Sequence, residues 1–454
     1  MSDYNQIKTP GVYVEEKAVL PGSVSGVSTA VPAFIGYTEM AGVNGDLFYK
    51  PTRIRTLKDF ERLFGTRTET ITVNATSPSI TVNITSPVRL MYYSMQMFFD
   101  NGGESCYIVA LNEKETGKPE IEKFQAAVDA LEFEDEPTLI ILADTVNMDT
   151  GTYYPLCKQV LSQCGKMKDR FAILDVQQQG TTESDIANFR TNIGTENLKY
   201  GAAYYPYLQS TLKYQYNEDL IDVTYLDANK AEQTKKLSNA DIKNAQTQLY
   251  NSIKDEIKKF SIILPPSAAV AGAYASVDRD RGVWKAPANV SLASVTAPVK
   301  KITESENDDL NVDTETGKSI NAIRGFSDKG TLIWGARTLA GNDNEWRYVP
   351  VRRLFNYVEE SIKKATAFAV FEPNNAMTWL KLRSMVESFL DGLWRQGALA
   401  GGKPDDAYFV QVGLGTTMTS EDILQGRLII KVGLAAVRPA EFIILEFTHK
   451  LQES

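Results

Sequence analysis

The chain predicts a mixed α/β, multi-domain protein, and three observations carry that prediction. Apolar runs of strand length alternate with helix-period segments from residue 88 to 275. A second series of such elements follows residue 326. An alternating strand stands near each terminus, joined to the rest by a tether. At 454 residues the chain exceeds one compact domain, and length alone suggests about three.

Residues 9–16 alternate as a strand would, with Val12 and Val14 on one face, Tyr13 on the other, and Pro10-Gly11 in front. The loose segment LPGSVSGVS follows, so this strand sits on a tether with no local sheet to join. TLKDFERLFG predicts a short helix ended by Gly65. TVNATSP at 72–78 recurs as TVNITSP at 81–87, which predicts two short strands in a surface hairpin or loop. One duplication is too few for a solenoid.

From residue 88 the reading is a helix over 88–99, the strand CYIVAL, a helix over 121–131 and the buried strand TLIILAD. A helix over 153–164, the strand FAILDV and a helix over 183–193 continue it. Such alternation predicts a mostly parallel sheet covered on both faces. Residues 211–258, polar and Lys/Glu-rich, read as a surface excursion. The uncharged run 260–277 reads as a strand, a proline stop and a helix capped by Ser267, and 304–315 as an acidic linker.

TLIWGAR then predicts a strand, and 351–365 a helix with Leu354, Val358 and Ile362 on one face. AFAVFEP reads as a strand. Asn374 or Asn375 caps a long helix that turns Trp379, Val386, Phe389, Leu390 and Leu393 inward. AYFVQVG and RLIIKVGLA are strands. Last, EFIILEFT sets Ile443, Leu445 and Phe447 against Ile444, Glu446 and Thr448, behind the tether LAAVRPAE.

Composition narrows function. Lys plus Arg is 48 and Asp plus Glu 57, a net charge of −9, which disfavours phosphate backbones as the main ligand. Cys106, Cys157 and Cys164 can neither frame a disulfide scaffold nor supply a CxxC zinc pair, and they read as buried small hydrophobes of a chain folded in a reducing cytosol. No Sec signal, membrane anchor or bilayer-length apolar run is visible.

His449 is the sole histidine and lies near the end of the chain, so histidine-based triads and multi-histidine metal sites find no residues. Gly317-Lys318-Ser319 approaches a phosphate loop, but Val312 stands where its first glycine belongs and an acidic segment precedes it. Asp144 and Asp175 end strands as nucleotide-site carboxylates do; helix-cap or turn roles fit them better without a phosphate loop. The expectation is no enzyme, no cofactor and no metal. Arg337, Arg347, Arg352 and Arg353 read as ion-pair residues rather than catalytic groups, and Trp284, Trp334 and Trp346 as core aromatics.

Several blocks resemble the contractile tail sheath proteins of phages and phage-tail-like injection systems. They are TPGVYVEE, FFDNGGESCYIV at 98–109, LPPSAAVAGAYASVDRDRGVWKAPAN at 264–289, INAIRGF at 320–326, TLIWGARTL at 331–339, WRYVPVRRLFNYVEESI at 346–362 and VRPAEFIILEF at 437–447. The blocks cover both ends and most of the chain, with RGVWKAPAN, WGARTL and VRPAEF together the specific signature. The likeness thins over 66–90 and 205–258, where insertions are expected.

The resemblance implies a structural subunit that stacks as hexameric rings around an inner tube and contracts to drive that tube through a target envelope. It implies α/β domains with terminal β-strand arms exchanged between subunits. Val12, Tyr13 and Val14 would form one arm; Phe442, Ile443, Ile444, Leu445, Glu446 and Phe447 the other. The implied domains are an arm at 1–25, an α/β domain at 26–325, a tube-proximal domain at 326–435 and a second arm at 436–454. Partners would be the chain itself, an inner tube protein, baseplate and terminal cap proteins and paralogous sheath subunits, with no nucleic acid and no membrane insertion. Glu359, Glu360, Lys363 and Lys364 are candidate tube-facing residues, with a solvated helix face as the plain alternative. Such a particle would be built in bacterial cytoplasm and then released or retained. Two alternatives stay open: a non-contractile or cap-like polymer with the same strand exchange, and a nucleotide-binding α/β enzyme.

Overall fold

The computed structural model describes residues 23–76, 79–84, 89–112, 120–227, 229–442 and 444. These form two compact units. The larger holds the described residues of 26–360 and 436–444, the smaller those of 23–25 and 361–435.

The larger unit opens with β1 (Pro32–Thr38), β2 (Thr52–Ile54), α1 (Leu57–Phe64), β3 (Ile71–Ala75), β4 (Thr81–Ile84), α2 (Met91–Asp100) and β5 (Cys106–Asn112). It continues through α3 (Ile121–Ala130), β6 (Leu139–Leu142), α4 (Thr150–Met167), β7 (Phe171–Asp175), α5 (Thr182–Asn192), β8 (Gly201–Tyr205) and β9 (Leu208–Ser210). Next come β10 (Asp222–Leu226), β11 (Glu232–Lys236), α6 (Thr247–Lys259), β12 (Ile263–Leu264), α7 (Ser267–Arg281), β13 (Val290–Ser291) and β14 (Val295–Pro298). It closes with α8 (Glu304–Asn311), β15 (Asn321–Phe326), β16 (Gly330–Ile333) and most of α9 (Val349–Thr366).

Its main sheet runs β13-β16-β15-β8-β7-β6-β1-β5-β2. From β15 to β5 neighbouring strands are parallel, and both ends are finished by antiparallel pairs. Phe34, Ile108, Ile141 and Ile173 enter one core with residues of α2 and α7, while Ile35, Val109, Leu142 and Leu174 enter another with residues of α3, α4 and α5. Covering on both faces is why these strands read as unbroken apolar runs. The small residues of α7 permit a close approach to α2: a Cβ on Gly272 would lie 2.5 Å from the Phe98 carbonyl oxygen.

Asp144 and Asp175 work as latches at the carboxyl ends of strands. Asp144 accepts from the Tyr37 amide at 2.8 Å and the Leu90 amide at 2.5 Å. Asp175, fully buried, accepts from the Ser267 amide at 2.9 Å and hydroxyl at 2.6 Å, at the start of α7. Desolvation pushes its carboxyl up to about 7 despite those two bonds. Ser267 is therefore the first residue of α7 and a donor to Asp175, not the helix cap read from the sequence; Pro266 holds the cap position. At the phosphate-loop look-alike, Gly317 has φ 72°, Lys318 Nζ donates to the Arg190 carbonyl and the Ser319 hydroxyl donates to the Asn311 carbonyl.

Two other readings are corrected. Residues 304–315 contain α8, because Thr303 and Glu306 make a reciprocal capping box. AFAVFEP contains no strand: residues 367–369 turn in a 3-10 helix, and Val370 and Phe371 project outward, 64% and 103% exposed. A short apolar run does not by itself distinguish a strand from a turn that needs an external partner. Residues 325 and 326 lie in β15, inside the β15–β16 hairpin, and the compact units divide at 360/361, within α9.

The two insertions fold together. β3 and β4 pair as a hairpin, as the repeat suggested, and join β10 and β11 in a sheet of order β11-β10-β3-β4. Val73, Val82, Val223 and Tyr225 pack there with Ile253 and Ile257 of α6 as a separate core.

The smaller unit contains α10 (Ala376–Arg395), α11 (Pro404–Ala407), β17 (Tyr408–Val412), α12 (Ser420–Leu424) and β18 (Ile430–Leu434). Asn375 caps α10, accepting from the Met377 and Thr378 amides, while Asn374 accepts from the Trp379 indole at 2.6 Å. α10 buries Leu382, Met385, Val386, Leu390 and Leu393; Trp379 and Phe389 are half-buried.

Candidate assembly interface

The larger unit is pinned near both ends of its described residues. Near the N-terminal end, the Thr29 carbonyl accepts from the Thr138 hydroxyl at 2.8 Å and from Arg353 at 3.0 Å. Arg353 is buried in α9, forms a bidentate pair with Asp278 of α7 and lies 4.6 Å over the Tyr274 ring. Just before this pin the backbone passes so close to Tyr357 that a Cβ on Gly26 would lie 2.1 Å from its hydroxyl.

Near the other end, Glu441 accepts from Arg337 Nε at 2.8 Å and Nη2 at 2.6 Å, from Tyr348 at 3.0 Å and from Asn311 at 2.7 Å. Arg337 is itself held: Asn321 accepts from its amide and donates to its carbonyl, both at 2.8 Å. Burial alone would raise the Glu441 pKa, but the bonds from Arg337, Asn311 and Tyr348 outweigh it and hold the carboxyl below its usual range. A buried guanidinium matched bidentately to a carboxylate fixes direction as well as position. The pin joins the blocks WGARTL, WRYVP and VRPAEF in space.

Beyond it, Phe442 and Ile444 are 68% and 83% exposed and belong to no strand within this chain. Val12, Tyr13, Val14, Ile443, Leu445, Glu446 and Phe447 lie outside the described residues. Of the candidate tube-facing residues, Glu359, Lys363 and Lys364 are exposed, Glu359 accepting from Arg352 at 3.1 Å. Glu360 is buried, as are Arg353 and Asn356 earlier in the helix.

The smaller unit is rich in uncovered apolar surface. Of twenty large exposed hydrophobics among the described residues, eight lie in this stretch of 75: Phe368, Val370, Phe371, Met377, Leu380, Phe409, Leu414 and Leu424. That density marks an interaction surface rather than scattered exposure. β17 and β18 form an antiparallel sheet of two strands, registered Tyr408 to Leu434 through Val412 to Ile430, so each strand keeps one edge without a partner among the described residues. A two-stranded sheet is marginal alone and gains from added strands.

Among the described residues no cluster of His, Cys, Asp and Glu is placed to hold a metal ion, and no helix is long and apolar enough to cross a membrane. The three cysteines are buried, with Cys157 and Cys164 pushed by desolvation up to about 12.

Residues 117–339 match the family described as the phage tail sheath protein central domain, and 341–450 match the phage tail sheath C-terminal domain. The chain belongs to the phage tail sheath family. Among curated relatives it is 26% identical to the tail sheath protein of Enterobacteria phage T4 over 28% of this chain and 19% of that protein. It is 26% identical to a putative prophage major tail sheath protein of Pseudomonas aeruginosa strain UCBPP-PA14, over 34% of this chain and 38% of that one. The matched stretches thus span between a fifth and two-fifths of those relatives.

Solved structures are alike over nearly the whole chain. A chain of the anti-feeding prophage baseplate shares 33% identity at TM-score 0.68, covering 98% of this chain and 100% of that one. A chain of the PVC sheath complex, an extracellular contractile injection system in its contracted state, shares 34% identity at TM-score 0.66, covering 98% of each. A second chain, from the anti-feeding prophage baseplate in its contracted state, reaches TM-score 0.72 at 26% identity, covering 98% of this chain and 100% of that one.

The pins were not visible in the sequence. Arg337 and Arg353 stood out as ion-pair residues, whereas their acidic partners lie 104 and 75 positions away and carried no local signal.

Proposed function

We propose that this chain is the structural subunit of a contractile sheath, polymerising as stacked hexameric rings around an inner tube in a phage-tail-like particle. The observation that carries the reading is the pairing of pinned arm roots with an open two-stranded hairpin. In this reading each terminal segment leaves from a pinned root, and β17–β18, each with one edge unpartnered among the described residues, receives strands from neighbouring copies. Main-chain hydrogen bonds then hold the polymer together while the bodies repack around the tethers. A gain of only a few kcal/mol per subunit, typical of two-state proteins, sums over the assembly to drive the tube. The role is mechanical and needs no catalytic step.

In this account 1–25 and 436–454 each hold a linker and an exchanged strand, with Glu441 in the linker held by the chain's own Arg337. The stretch 326–435 is tube-proximal; its part from 361 onward forms the smaller unit and presents Lys363 and Lys364 with the apolar turn at Phe371. Baseplate and cap proteins terminate the polymer, paralogous subunits join it, and assembly takes place in bacterial cytoplasm before release or retention. The baseplate origin of two similar chains favours a second reading, a baseplate-proximal ring subunit with the same strand exchange. Cryo-EM of particles co-expressed with the inner tube protein separates them. A full-length sheath in two lattices of different diameter supports the first reading; a single ring confined to the baseplate supports the second.

A further inference from the structure

The insertion sheet has two edges of opposite character. β11 reads Glu232-Gln233-Thr234-Lys235-Lys236, with Lys235 paired to Asp241 and Lys236 to Asp222. Charge on an outer strand guards it against pairing with another chain. β4, at the other edge, reads Thr81-Val82-Asn83-Ile84 with no charge, and among the described residues it pairs with β3 alone.

That one pairing shows what the strand accepts. Ile71-Thr72-Val73-Asn74 and Ile80-Thr81-Val82-Asn83 are the same tetrapeptide. In their antiparallel register Val73 stands opposite Val82, Thr72 opposite Asn83 and Asn74 opposite Thr81. The tripeptide Thr-Val-Asn is therefore its own complement about the valine. Val82 is buried toward the insertion core, and Thr81 and Asn83 face solvent.

We propose that the free edge of β4 pairs with β4 of a second copy of this chain, antiparallel about a two-fold axis at Val82. The contact repeats between copies the pairing already made within one, setting the two valines opposite each other and each Thr81 opposite an Asn83. Such a contact is isologous. Subunits of one polar tube are related by rotation and translation along its axis, so a two-fold contact lies between tubes; this step rests on the sheath reading. Four residues bury far less than the roughly 1,200 Å² of a stable complex, so a single contact is weak. Repeated along two tubes it gains strength through multivalency. The insertion thereby becomes a device for lateral pairing of particles.

The test compares full-length wild type with Asn83→Lys and, as a second variant on the same exposed face, Thr81→Lys. Negative-stain microscopy of concentrated tubes should show side-by-side pairs for wild type and single tubes of unchanged diameter for both variants. Wild-type tubes that stay single, or variants that pair equally, overturn the proposal. If no tubes form, the sheath reading fails separately, and sedimentation equilibrium of the full chain reads the contact directly. A weak dimer lost in Asn83→Lys supports it, while no dimer, or one unchanged by the lysine, overturns it. A dimer lost on deleting residues 1–22 assigns the edge to the chain's own arm and also overturns it.

Discussion

Glu441 meets Arg337 through two parallel hydrogen bonds, 2.8 and 2.6 Å, across 104 residues of sequence. This pair fixes Glu441 against the larger unit. Glu441→Ala leaves a buried guanidinium without its carboxylate and should destabilise the larger unit by about 3 kcal/mol, read by denaturant unfolding. Because the Glu441 carboxyl titrates below its ordinary value of about 4.3, its contribution is complete above that pH and is lost as pH falls through the lowered value in the folded state. The wild-type advantage over Glu441→Ala should therefore shrink on acidification below about pH 4. An advantage independent of pH down to 3 would contradict the pin.

Asp175 gives the opposite slope. Its carboxyl is raised by burial to about 7, so between about pH 4 and 7 the unfolded chain has released a proton that the folded chain retains, and stability falls as pH rises. Asp175→Asn removes this dependence and should be more stable than wild type at pH 8 by a few kcal/mol, and close to it at pH 5. Equal differences at both values would show that Asp175 is charged throughout.

Phe371 has φ 70° and is wholly exposed. A left-handed backbone costs a non-glycine residue about 1 kcal/mol, less for asparagine. Phe371→Asn should leave subunit stability unchanged or slightly raised while increasing the concentration at which tubes form. A large drop in subunit stability would place Phe371 in the fold rather than at a contact.

Lys363 and Lys364 are exposed near the C-terminal end of α9. Reversing both to glutamate should yield sheaths that assemble but retain less inner tube on co-purification. Tube-filled sheaths in unchanged yield would remove this face from the tube interface.

The central sheet was legible because its strands are buried on both faces and read as unbroken apolar runs such as Leu139–Leu142 and Phe171–Asp175. The helix at Glu304–Asn311 was missed because acidic composition masked its capping box. AFAVFEP misled for the reverse reason: Phe368, Val370 and Phe371 are exposed, and an apolar run in a sequence does not by itself report burial. Glu360 is buried while its neighbour Glu359 is exposed, a difference that charge alone does not report. The pins at Arg337 and Arg353 depend on contacts across 104 and 75 residues, which no local pattern encodes.

The most direct measurement is negative-stain electron microscopy of the purified full-length chain beside a deletion of residues 1–22. Strand-linked assembly predicts hollow tubes with cogwheel cross-sections from the wild type, and soluble subunits without tubes from the deletion. Tubes of equal length and number from both proteins would contradict it.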